Sequence, residues 1–123
     1  MSTRCNILIK QQHLQVCLYH HMDGYPEGVG MELAGIFKKN FTAKEEKGRL
    51  LWFEDVVNDL IKNHKGYEYC AALHGDIEYL YTIDLDRKKI VCEEVNNWHS
   101  DIIIKKTINM MKFYKEAKQE ATV

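Results

Sequence analysis

Cys5-Asn-Ile-Leu-Ile-Lys-Gln-Gln-His-Leu-Gln-Val-Cys-Leu-Tyr-His-His21 is the stretch that decides the fold class. Two β-rich runs, Cys5 to Lys10 and Leu14 to His21, flank a polar Gln-Gln-His connector, which predicts an antiparallel hairpin. The second run alternates. Leu14, Val16, Leu18 and His20 fall on one face, and Gln15, Cys17, Tyr19 and His21 on the other.

Past the loop from Met22 to Gly30, the apolar positions Val29, Leu33, Ile36 and Phe37 keep helical spacing up to Asn40, read as a left-handed stop. Thr42-Ala-Lys-Glu45 has the form of a capping box, in which threonine and glutamate each satisfy an orphaned backbone N–H. It predicts a second helix striped by Trp52, Phe53, Val56, Val57, Leu60 and Ile61 and ending near Asn63 to Gly66. Tyr67 to His74, Ile77 to Leu85 and Ile90 to Val95, separated by turn residues, read as a three-stranded meander. Ser100 or Asp101 would cap a last helix carrying Ile104, Ile108 and Met111, with a polar tail from about 116. The order β-β-α-α-β-β-β-α predicts an α+β fold: one antiparallel sheet with helices on one face.

With 123 residues, no repeat and a sole proline at Pro26, the chain reads as a single domain over 1–123. A chain of this size buries roughly two-thirds of its unfolded surface, enough for one core. Lys+Arg 17 against Asp+Glu 18 gives a formal charge of −1. That balance argues against a dedicated duplex binder, whose affinity comes from neutralising phosphates. No apolar run approaches the roughly 20 residues that span a bilayer, and the start lacks a secretory layout, so a cytoplasmic protein without a membrane partner is expected. Cys5, Cys17, Cys70 and Cys92 form no C-x-x-C pair and read as buried small hydrophobes.

The densest cluster of special residues is His20-His-Met-Asp-Gly-Tyr-Pro-Glu-Gly-Val-Gly30. A glycine-rich loop entering a helix can turn backbone N–H groups toward an anion, although Asp23 and Glu27 oppose negative charge. The same glycines suit a tight corner with no ligand, and Asp-Gly and Tyr-Pro are turn dipeptides. The candidate ligand-binding residues are His21, Asp23, Gly24, Tyr25, Pro26, Glu27, Gly28 and Gly30. A rival set, His21 and Asp23 completed by His74, His99 or Glu94, would suit metal-assisted attack of water on a phosphoester. No H-E-x-x-H, Walker loop or G-x-S-x-G stands in the chain; the balance leans away from an enzyme, and no cofactor is expected. Tyr67, Tyr69, Tyr79 and Tyr81, in two same-face pairs, offer an aromatic platform for single-stranded nucleic acid, aided by lysines near the C-terminus, or for a homo-oligomer contact.

Ser2-Thr-Arg-Cys-Asn-Ile7, Tyr19-His-His-Met-Asp-Gly-Tyr-Pro-Glu-Gly-Val-Gly30 and Leu73-His-Gly-Asp-Ile-Glu-Tyr-Leu-Tyr81 resemble a group of small bacteriophage and prophage proteins with a D-G-Y-P-x-G-V-G core. The resemblance spans most of the chain up to about Val95; in that group an aromatic residue tends to stand where this chain has Met22. It implies a setting and no reaction: a non-catalytic binding protein in the host cytoplasm. Such a protein would block a host protein or sequester a small phosphorylated molecule, as in an anti-defence role.

Overall fold

The computed structural model describes residues 3–46, 48, 53–73, 75–98 and 101–121. The first hairpin forms as expected: β1 (Cys5–Gln11) pairs antiparallel with β2 (Leu14–His20), Ile7 opposite Leu18. The turn at Pro26–Gly30 leads into helix α1 (Met31–Glu46), and α2 (Phe53–Asn63) follows. Then come the two-residue strand β3 (Glu68–Tyr69), β4 (Tyr79–Asp84), β5 (Lys89–Trp98), β6 (Asp101–Asn109) and helix α3 (Met110–Ala121).

The six strands form one sheet in the order β3-β2-β1-β4-β5-β6, an α+β fold. The sheet is mostly antiparallel, but central β1 runs parallel to β4, with Cys5 beside Tyr79 and Ile9 beside Ile83. This corrects the meander. Because β3 lies at the far edge, beyond β2, the chain must cross back to the centre before β4 begins. Residue 76 of that crossing is held by an Arg4–Asp76 ion pair of 3.2 Å, and Glu78 N–H donates to Arg4 O at 2.9 Å.

Alternation places Cys5, Ile7, Ile9, Leu18, Tyr81, Ile83, Ile90 and Cys92 on one face of the sheet. They form one core with Leu33, Ala34 and Phe37 of α1, Val56, Val57 and Leu60 of α2, and Met110 of α3. Of the apolar positions read from helical spacing, Val29, Leu33, Ile36, Phe37, Val56, Val57 and Leu60 pack in this core, with Ile61 partly buried against it. Trp52, His74 and His99 lie outside the described residues.

Three element boundaries differ from the sequence reading. Helix α1 runs through Asn40 and the Thr42 to Glu45 segment: the Asn40 side chain donates to Ile36 O at 2.8 Å and to Asp59 Oδ2 at 2.9 Å, so it braces the helix where a stop was expected. The expected strand from Tyr67 to His74 shrinks to Glu68–Tyr69. The stretch 101–109 is strand, and the last helix starts only at Met110. Ile104 and Ile108 share helical spacing, yet Ile104 is 55 % exposed and Ile108 pairs opposite Cys92. The β-branched run Ile102 to Ile104 favours an extended backbone, and spacing alone cannot reveal that preference. No helix among the described residues is long and apolar enough to cross a membrane.

Candidate functional site

β2 ends at His20, and the chain turns sharply away from the sheet. Asp23 takes a left-handed conformation (φ 55°), which a short acidic side chain tolerates. The corner is then sealed by its own backbone. Gly24 N–H donates to Thr3 O at 3.0 Å, Gly28 N–H to Tyr25 O at 2.9 Å and Val29 N–H to Asp23 O at 2.8 Å. From the core, the Tyr81 hydroxyl donates to Gly24 O at 2.6 Å.

The glycines serve this closure. A Cβ on Gly28 would stand 2.3 Å from Asp23 O, and one on Gly30 would press on Met110 and Tyr81. Gly24, Pro26 and Gly30 are therefore buried parts of the corner, while His21, Asp23, Tyr25 and Glu27 are exposed and Gly28 is half-buried. The N–H groups of Gly28, Val29 and Gly30 turn inward to carbonyls of the loop, which fits the tight corner and not the anion cradle of the two readings of these glycines. The Pro26 peptide bond is trans, as are all others described.

Beside this corner opens a cleft of about 670 Å³. His20, Met22, Asp23 and Gly28 line it from the loop, Val29 and Glu32 from the start of the first helix, and Asn63 to Gly66 from the end of α2. Of the predicted binding residues, the cleft thus takes Asp23 and Gly28. Glu32 and the 63–66 connector carried no site signal in the sequence, and His20 stood in the special cluster without being assigned a binding role.

His20 holds the two sides together. Its Nδ1 lies 2.5 Å from Met22 O and its Nε2 3.1 Å from Lys65 O, with the ring 4.6 Å from that of Tyr67. The ring is 8 % exposed, whereas His21, one residue past the end of β2, is exposed with its ring stacked 6.5 Å from that of His20. Glu32 is fixed by the Tyr67 hydroxyl, which donates to Oε1 at 2.5 Å, and Oε2 lies 3.6 Å from His64 Nδ1. Burial, reinforced by the Glu32 carboxylate, pushes the Tyr67 hydroxyl far above its ordinary range, so it stays a donor. On the loop, the hydrogen bond from Tyr25 to Asp23, 3.2 Å long, likewise raises the Tyr25 pKa.

The other sequence-level candidates fare differently. Among the described residues, no three His, Cys, Asp or Glu side chains stand together as a metal site would require. Glu94 of β5 lies 3.9 Å from Lys105, within the sheet. The tyrosines do not form a platform: Tyr67 and Tyr81 are buried with their hydroxyls bonded to Glu32 and Gly24 O, Tyr79 is half-buried, and of the four only Tyr69 stands well exposed. Tyr79 and Tyr81 pair with Cys5 and Ile7 and so lie on the core face. Cys5 and Cys92 are buried as expected, and burial pushes the Cys92 thiol up to about 12, while Cys17 and Cys70 are only half-buried. The chain matches no protein-family model, no curated protein and no solved structure.

Proposed function

We propose that this chain is a stoichiometric binding protein of phage or mobile-element type that acts in the host cytoplasm by docking the loop His21 to Gly30 and the adjoining cleft onto a host protein. The observation that carries the reading is the cleft itself: preformed, about 670 Å³, and bordered by the carboxylates of Asp23 and Glu32. Those carboxylates, with Glu27 on the loop, suit a partner that presents lysine, arginine or amide donors. They disfavour the alternative ligand, a small phosphorylated molecule, as do loop N–H groups already satisfied within the corner. Exposed Met22 and Tyr25, 47 % and 37 % accessible, add the adaptable and rigid apolar area common at protein interfaces.

The test is native mass spectrometry of the protein purified gently from bacterial cells, compared with an Asp23→Asn, Glu27→Gln variant. Asparagine retains the left-handed turn at position 23. The expected result is a host protein retained at a fixed molar ratio by the wild type and held roughly tenfold more weakly by the variant. A nucleotide-sized adduct would instead favour sequestration, and a metal-sized one the phosphoester hydrolase built on His21 and Asp23. Turnover at substoichiometric protein would sink the binding reading altogether.

A further inference from the structure

On the sheet face away from the main core, two half-buried thiols meet. Cys17 of β2 and Cys70, one residue beyond β3, have sulfurs 2.8 Å apart and are not bonded to each other. They are facing positions: Tyr69 pairs with Leu18, and Cys70 N–H donates to Cys17 O at 3.1 Å, which extends the same register by one residue. Facing residues in an antiparallel pair have Cα atoms about 4.5–5.5 Å apart, within the span a disulfide bridges. Asn6, fully buried, aims its Nδ2 at this spot. It donates to Leu18 O at 3.0 Å and lies 3.3 Å from Cys70 Sγ and 3.6 Å from Cys17 Sγ.

We propose that Cys17 and Cys70 are an oxidation site: a dithiol that a low-molecular-weight disulfide converts to a bond clamping the edge strand β3 onto β2. The Cys70 thiolate attacks one sulfur of the small disulfide, releasing one thiolate and leaving a mixed disulfide on Cys70. The Cys17 thiolate then attacks the Cys70 sulfur and expels the second. Two electrons pass to the small disulfide, and the two protons lost by the cysteines end on its two thiols. Burial, with the neighbouring Cys70, pushes the Cys17 thiol up to about 12, so exchange at the pair quickens as pH rises.

Geometry gives the bond a consequence. β3 has two residues and β2 as its partner, so it is the least anchored strand, and the connector leading into it forms one side of the cleft. The bond would lie three residues before His20 and four after Gly66, and would close a loop of more than fifty residues. A reducing cytoplasm would keep the pair as thiols, and oxidative conditions would close it. The clamp is independent of what the cleft binds.

The experiment treats the full chain with glutathione disulfide and maps alkylated peptides without reduction, beside thermal unfolding. The expected result is a Cys17–Cys70 linked peptide, a mass lower by two hydrogens, and an unfolding midpoint higher by roughly 5–15 °C, all reversed by dithiothreitol. Cys70→Ser should show none of these changes, and the wild-type peptide map decides the matter even if that variant folds poorly. Recovery of both cysteines alkylated, a persistent glutathione adduct, a link between two chains, or a linked pair with an unchanged midpoint would overturn the proposal.

Discussion

Gly66 shows how one atom sets the site. Its φ of +91° lies where side chains are strained, and a Cβ there would come within 2.7 Å of His20 Nε2. The imidazole has little room to retreat, because its two nitrogens face carbonyls on opposite sides, one of which accepts its N–H, and its ring stands 4.6 Å from that of Tyr67. Gly66→Ala is therefore expected to cost about 2–3 kcal/mol in urea unfolding. Gly75→Ala, where a Cβ would meet nothing within 4 Å, should stay within about 0.5 kcal/mol and serves as the control. Tyr81→Phe removes the buried hydroxyl that fastens Gly24 O to the core, for an expected loss of about 1–2 kcal/mol. If Tyr81→Phe is neutral, the corner is not held from the core.

Between elements, a charge-assisted hydrogen bond from Asn40 to the Asp59 carboxylate joins α1 to α2 and titrates with that carboxylate. Burial would raise the Asp59 pKa, but hydrogen bonds from Asn63 and Asn40, with Lys39 and His64 nearby, outweigh it and hold it below the ordinary value. A depressed folded pKa contributes stability that is fully present above the unfolded value near 3.8 and lost as pH falls through the folded one. Asp59→Ala should thus cost about 1–3 kcal/mol at neutral pH by stranding both asparagines, and the gap to wild type should narrow below about pH 4. A gap constant from pH 7 to pH 3 would show that charge plays no part. The same pair explains one misread boundary: Asn40 signals a helix end only when its side chain lacks a partner on the next helix. Local spacing foretold the first hairpin and the buried faces of the first two helices. It could not foretell the parallel β1–β4 pair or the His20–Lys65 contact, which joins residues 45 apart in the chain. The loop was legible as special from its composition. Its partner across the cleft was not, because Asn63 to Gly66 looks like an ordinary helix end.

For the whole molecule, burial and strand order together predict a gradient of stability. β1 is bonded on both sides, by β2 and β4, and Ile7 and Ile9 beneath it are fully buried, whereas the edges are two-residue β3 and a β6 whose residues 103 to 107 are all exposed. Amide hydrogen exchange should be slowest in β1 and β4 and fastest in β3 and β6, because edge strands open without disturbing the core. The informative amides lie in the corner. Gly24 and Val29 donate to backbone carbonyls, Gly24 O accepts from buried Tyr81 and Val29 is itself in the core, so they should exchange at rates close to those of β1. Protection of that order would mean that the loop enters binding already shaped, with His21, Asp23, Tyr25 and Glu27 displayed from a fixed base and little ordering cost. Exchange at the rate of an open loop would mean that the corner unfolds on its own, and a rigid docking surface could not then be the basis of recognition.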